Sequence, residues 1–380
     1  MALTALDESL MHQVAVPFHE TTVSDHRFFD RMFLGGHCGE NIKVISGMAA
    51  YKNMNAFDGF LSIMKDGRQH NFRASRPFLP DAGEMTVGPL TLEIVKPLHQ
   101  VRLSLKPGDG YAHSGELLFT GTVPVHEEAP HVRRSNGRLS QDYRRFYQIG
   151  QLEGWIDIEG DRIEMSEWFG IRDHSWGVRP GVGGYEPATA PPARELKDPA
   201  TAAHLFIWLA FQAGDLSGQF QQQENGNGVA WMTDGQIQKG GRDVAVTRIT
   251  HDIDFVPGTR VFRFARLDVE LADGDRLQIE AEALLSPWAY KGTGYDNGWN
   301  DERGLGFYRG VRQEADIYDV SHPEYVVLPD GRKIRPGHRE QPVKLTVNGV
   351  PGLGHLPIIN SGLIRRYGLG QPENHQRSES

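Results

Sequence analysis

The feature that most limits what this chain can become is an apolar rhythm of two, broken repeatedly by glycine turns. It is clearest at 260–285, where Leu267, Val269 and Leu271 lead into Asp273-Gly274-Asp275 and out to Leu277, Ile279 and Ala281. Side chains two apart share one face of a strand, so such a run describes a hairpin with a buried and a wet face. The same arrangement surrounds Asp66-Gly67 (strands at 59–64 and 70–75) and Glu159-Gly160-Asp161 (strands at 151–158 and 162–168). Asp-Gly favours the positive φ that tight hairpin turns require. Further strands are predicted at 42–48, 90–95, 101–105, 116–123, 205–211, 218–223, 229–232, 236–239 and 243–254. Helical periodicity is scarce, with helices predicted only near 24–32 and 355–366, so the fold class is all-β.

Pro187, Pro191, Pro192 and Pro199 punctuate 186–201, a stretch that cannot sit inside a sheet and reads as a linker. The predicted organisation is an N-terminal arm at 1–24, a first β unit at 25–185, the linker at 186–201, a second β unit at 202–364 and a flexible tail at 365–380. Two antiparallel barrels in tandem follow, because closure removes exposed strand edges. The polar interval 126–150, with Arg133, Arg134, Arg138, Arg144 and Arg145, reads as a solvated face rather than a lid over a ligand.

A formal charge of −9 with scattered Lys and Arg argues against a nucleic-acid partner. Cys38 is the single cysteine, which leaves no intrachain disulfide and fits a reducing cytoplasm. The first twenty residues carry Asp7 and Glu8 and no basic residue ahead of an apolar run, unlike a secretory signal. No apolar run reaches the roughly 18 residues needed to span a bilayer. Dinucleotide, P-loop, zinc-protease and serine-hydrolase motifs are absent, and the histidines form no tight ligand pair, so neither a metal nor a cofactor is expected. A homodimer is left open.

Two stretches hold the chemistry. Gly170-Ile171-Arg172-Asp173-His174-Ser175-Trp176-Gly177-Val178-Arg179 packs a carboxylate, an imidazole, an indole and two guanidiniums into one short segment. Strand alternation separates Asp173 from His174, so a site using both needs a bend, which Gly170 and Gly177 could bracket. The alternative is a β-corner in which Trp176 fills a core. The second stretch, 286–302, is dense in glycine and aromatic rings and carries Trp288, Tyr295, Asp296 and Trp299. Such a loop walls a pocket, or simply packs a barrel end.

Arg172-Asp173-His174-Ser175-Trp176-Gly177, followed over a hundred residues later by Gly292-Thr293-Gly294-Tyr295, resembles the lipocalin-like superfamily of carotenoid 1,2-hydratase, kievitone hydratase and fungal decalin-forming cyclases. More narrowly it resembles a bacterial branch of that group, as do Asn53 to Phe60, Asp66 to His70 and Arg73 to Arg76. Where that branch carries His-Pro-x-Trp-Gly-His, this chain has Asp296-Asn297-Gly298-Trp299-Asn300-Asp301, which removes two imidazoles. The resemblance implies two tandem lipocalin-like antiparallel β-barrels, a ligand cavity near their interface and cofactor-free chemistry on hydrophobic molecules. Its carried-over roles make Asp173 the acid, His174 its orienter or the base for water, and Tyr295 a catalytic pocket wall. Arg172, Trp176, Tyr185, Trp288, Asp296 and Trp299 are the expected substrate-binding residues.

An exposed Asp titrates near 3.9, so Asp173 donates a proton at neutral pH only if burial raises it. Nearby Arg172 and Arg179 would oppose that and leave a base suited to β-elimination or retro-aldol cleavage. The expectation is therefore a cofactor-independent lyase on a hydrophobic aromatic or isoprenoid compound, in the manner of aromatic-compound catabolism. The competing readings are a non-catalytic hydrophobic-ligand carrier and an isomerase or cyclase using the same pocket.

Overall fold

In the computed structural model, all residues are described except 1–2, 4, 9, 41, 136–137, 185–197, 285–287, 296, 336–338 and 371–380. Strands β1 (Phe28–His37), β2 (Ile42–Tyr51), β3 (Ala56–Lys65) and β4 (Arg68–Pro77) form an antiparallel meander. At the β3–β4 turn Asp66 and Gly67 both have positive φ, 50° and 77°, as the Asp-Gly pair demands. Glu159 and Gly160, at 56° and 90°, make the same turn between two much longer strands, Arg138–Ile158 and Asp161–Val178.

The first sheet runs β4-β3-β2-β1, then Asp161–Val178, Arg138–Ile158, His113–Gly121, Gln100–Leu105, Leu90–Lys96 and Thr86–Val87. Its far end curls back over β3: a Cβ on Gly59 would lie 2.7 Å from Leu90 and 2.8 Å from Val87. The barrel encloses an apolar core that includes Leu34, Val44, Leu61, Phe119 and Leu152. In the second sheet the pairings return to their start: His204–Ala213, Leu216–Glu224, Ala230–Lys239, Arg242–Phe255, Phe262–Leu271, Arg276–Ala283, Pro342–Val347 and Val350–His355 form a ring of eight. Its interior holds Leu209, Phe220, Leu267, Ile279 and Leu345. The all-β expectation of two tandem lipocalin-like barrels describes the molecule.

Four expectations change. The helix near 24–32 is the start of β1. The helix at 355–366 is the strand Ile358–Ser361 and one short 3-10 turn, Arg365–Tyr367. The 126–150 interval is not a loop, since His131–Ser135 and the 21-residue Arg138–Ile158 are strands; Arg133, Arg134, Arg138 and Arg144 are exposed as a solvated face requires, and Arg145 alone of the five turns to a buried partner described below. Finally, sheet membership does not follow chain order, since Arg312–Asp319 hydrogen-bonds to β4 and carries Val326–Val327 and Lys333–Ile334 into the first sheet.

The outer face of the first barrel meets the second across a separate apolar layer in which Phe33, Ile45, Phe60 and Tyr147 pack with Trp208 and Trp288. Alternation along β1 thus sends Leu34 into the barrel and Phe33 toward its neighbour. That division of faces decides where each chemical group goes.

Candidate functional site

The Asp161–Val178 strand runs through the motif from Gly170 to Val178 without a break, with β1 on one side and Arg138–Ile158 on the other. Asp173 lies between Phe33 and Tyr147, on the face turned to the second barrel, whereas Arg172 lies between Leu34 and Gln148 and His174 between Met32 and Phe146. The bend that would unite Asp173 with His174 does not form. Gly177, at φ 134°, serves a close approach instead: a Cβ there would meet the Asp142 carbonyl oxygen at 2.3 Å. His174 bonds Asp30 at 2.6 Å and packs edge-on against Phe146 and Trp176 on the barrel's inner face. Its expected role as partner of Asp173 is therefore replaced by a pairing with Asp30.

Asp173 itself accepts no hydrogen bond from the described residues. Burial raises its carboxyl; Arg145 opposes this, Glu128 adds to it, and Arg31 and Arg179 oppose it further, leaving a net upward shift. Arg172, on the other face, takes no part.

Tyr295 arrives on the same outer face from the aromatic loop. The 3-10 turn Tyr290–Thr293 ends at Gly294 with φ 93°, where a Cβ would strike the Trp299 indole nitrogen at 2.6 Å. Only glycine lets the chain turn there and set Tyr295 against β1. Its phenolic oxygen accepts from Arg31 Nη1 and, at 2.5 Å, from Arg179 Nη2. Arg31 also lies 4.7 Å from the ring centroid. Burial would raise this phenol, and Asp173 pushes the same way, but the two guanidiniums outweigh both and its pKa falls below the usual 10. The structure thus brings Tyr295 and Asp173 into one electrostatic field, with Tyr295 hydrogen-bonded rather than merely walling a pocket.

Beside Arg31 a narrow void is lined by Tyr51, Asp58, Phe60, Thr293 and Trp299. It leaves about 10 Å³ open to the centre of a water molecule, room for one. Neither Asp58 oxygen has a hydrogen-bond partner of good geometry, and burial lifts its carboxyl to about 7 against the opposing pull of Arg309, the Gly306 amide and Arg31. Tyr51, burial-raised, is a neutral phenol.

The other expected residues separate. Trp288 is fully buried in the layer between barrels, against Phe60 and Tyr290. Trp299 lines the Asp58 void, its ring beneath Arg309 at 4.8 Å. Trp176 stays with His174 on the inner face, and Arg172 points into the first barrel. Tyr185 and Asp296 lie outside the described residues. Sequence reasoning passed over Arg31 and Asp58, contributed by β1 and β3, and assigned no role to Arg145 and Glu128. No group of three or more metal-ligating side chains occurs among the described residues.

Glu128 is the anchor between barrels. Its carboxylate accepts from Arg145 Nε at 2.7 Å, His131 at 2.8 Å, Gln219 at 3.0 Å, and Trp208 and Gln221 at 3.1 Å. Burial alone would raise it, but Arg145 and His131 hold it near 2. A second buried set, Lys43, His355 and Glu340, lies in the same interface; Lys43 is brought down to about 7 by burial and Glu340 up to about 7.

The sequence matches the profile of a family of unknown function, DUF8625, over residues 3–319. The chain belongs to DUF8625. No curated protein matches this DUF8625 member in sequence. Among solved structures, a Nitrosomonas europaea protein described provisionally as an AttH superposes with a TM-score of 0.51 at 11% identity, covering 87% of this chain and 92% of its own. Kievitone hydratase from Nectria haematococca (TM-score 0.45, 10% identity, 87% and 89% covered) and CghA with Sch210972 (0.46, 9%, 88% and 89%) are also similar. The first likeness shows a shared fold; the other two, below 0.5, carry no argument about this chain. No helix among the described residues is long and apolar enough to cross a membrane.

Proposed function

We propose that this protein is an acid–base lyase acting on a hydrophobic aromatic or isoprenoid small molecule, with its centre at Tyr295, Arg31, Arg179, Asp173 and Asp58. The observation that carries the reading is a divergence of titrations: the phenol is drawn toward its anion while two nearby carboxyls are drawn toward their acids. Pairs of groups pushed apart in this way supply a base and an acid together. In elimination, Tyr295 takes the proton from the carbon next to the one bearing the leaving oxygen. The C–H electron pair becomes the double bond, the C–O bond breaks, and a carboxylic acid, Asp58 or Asp173, protonates the departing oxygen as water. Hydration is the reverse, and the Asp58 void has the size of its second reactant. Phe60 and Trp299 supply an apolar wall.

This reading makes Tyr295 a base where the sequence led to the expectation of a pocket wall, and withdraws His174 and Trp176. A cytoplasmic location, suggested by the lone Cys38, the domain limits drawn at 186–201 and a kinship with the bacterial branch marked by Asp173-His174-Ser175-Trp176-Gly177 remain part of the proposal. The test is incubation of the purified protein with a panel of prenylated, phenolic and polyketide-like compounds, followed by mass spectrometry. Gain or loss of one water is expected; unchanged mass with a new retention time redirects the reading to an isomerase or cyclase. Tyr295→Phe should lower turnover by about 10²–10⁴-fold, the usual worth of a positioned base. Full turnover in that variant refutes the assignment.

A further inference from the structure

The inner face of the same strand holds a group that the acid–base centre does not use. Arg172 is 5% exposed, inside the first barrel. Its Nε donates to Gln148 Oε1 at 2.8 Å, and that amide is fixed in turn by the carbonyls of Leu98 and Val123. Its Nη2 is buried with no partner among the described residues. Phe119 and Phe146 flank the guanidinium, at 5.6 and 5.5 Å from its carbon. Among the described residues no carboxylate pairs with it, and burial lowers its pKa to about 10. Buried charges are ordinarily paired, since an unpaired one costs several kcal/mol. An unanswered guanidinium, held rigidly by one nitrogen and open at another, is a preformed half of a charge-assisted pair.

What surrounds it is mostly apolar. The void beside Arg172 is walled by Met32, Leu34, Met48, Leu92, Val101 and Leu103, and Asp173 also borders it. It is tight, with about 10 Å³ open to the centre of a water molecule, but two of its walls are methionines, the side chains most able to repack around a guest. Two residues along the strand, the His174–Asp30 pair is 23% and 39% exposed, so the barrel grows wetter from Arg172 toward that end.

We propose that the interior of the first barrel is a second binding site, separate from the Tyr295 centre, for a small apolar compound bearing one carboxylate, with Arg172 as its counter-ion. The carboxylate meets Nη2 between the two phenyl rings, and the hydrocarbon displaces Met32 and Met48. Strand alternation sends the Arg172 and Asp173 side chains to opposite sides of one sheet, and the Asp173 position borders both sites.

The probe is sodium hexanoate against 1-hexanol, titrated into the full-length protein by calorimetry. Hexanoate should saturate and raise the unfolding temperature, and hexanol should bind at least tenfold more weakly. Arg172→Met should weaken hexanoate at least tenfold. Its own unfolding temperature without ligand should equal or exceed that of the parent, because an uncompensated buried charge has been removed. Arg172→Lys, which keeps the charge but not the fork, should fall between and guards against a misfolded Met variant. Tyr295→Phe should leave hexanoate affinity within twofold, which separates this site from the catalytic proposal. Failure of hexanoate to saturate, equal affinity for hexanol, undiminished binding by both Arg172 variants, or loss of binding in Tyr295→Phe each overturns the inference.

Discussion

Glu128 and Asp58 are both carboxylates buried against the outside of the first barrel, and they have opposite fates. Glu128 has donors from both barrels and an arginine in contact, and it is an anion down to about pH 2. Asp58 has no hydrogen bond of good geometry and only more distant guanidiniums, and it is half-protonated near 7. Burial raises both; the number and closeness of donors decides the outcome. The fully satisfied carboxylate joins two barrels, and the unsatisfied one borders a void of one water's size beside the Tyr295–Arg31 pair.

Glu128→Ala should make the larger difference, about 3–5 kcal/mol of stability at pH 7, because it strands the buried Arg145 guanidinium. Urea denaturation measures it, and a loss below 1 kcal/mol would mean the contacts are incidental. Since the folded pKa of Glu128 lies below its unfolded value, its contribution is present above about pH 4.5 and is lost as pH falls toward 2. Asp58 has the reverse sign. Its folded pKa lies above the unfolded one, so the native state binds the extra proton and loses stability as pH rises from about 4 to 7. Three pH units set an upper bound on the order of 4 kcal/mol. Glu340, also near 7, and Asp173 slope the same way, while His37, His113 and His355, lowered by burial, slope oppositely, so the test is the difference between curves: unfolding midpoints of Asp58→Asn should fall less, or rise more, from pH 4 to 7 than those of the parent. An unchanged slope would place Asp58 in contact with water. The smallest effect belongs to the opposite face: His174→Ala, losing a partly exposed pair, should cost about 0–1 kcal/mol and change turnover less than twofold. A collapse of turnover would move the catalytic centre inside the barrel.

Much of the scaffold was legible in the sequence because hairpins are local. Asp66-Gly67 and Glu159-Gly160 announce positive φ, and period-two runs follow on either side. Of the five arginines in the 126–150 interval only Arg145 was misread: arginines suggest solvent, which the other four face, while the carboxylate that pairs with Arg145 stands seventeen residues earlier. β1 was misread as helix, and with its strand alternation went the direction of Arg31. Asp173 and Tyr295 drew attention through their motifs, but their spatial neighbours did not. Arg31, Asp58, Arg179 and Tyr295 come from four separate parts of the chain, and only register says which face each one shares.

The return of Arg312–Asp319 to β4 has a consequence for synthesis. A ribosome releases β4 more than two hundred residues before its outer partner, a delay of tens of seconds at roughly 5–20 residues per second. Throughout that interval the first barrel carries an open strand edge, the kind of surface that invites pairing with another chain. Six of the eight strands of the second barrel emerge before that edge is covered, so the barrel that begins first is sealed late. Expression yield, more than the stability of the finished protein, is where that order of events would be felt.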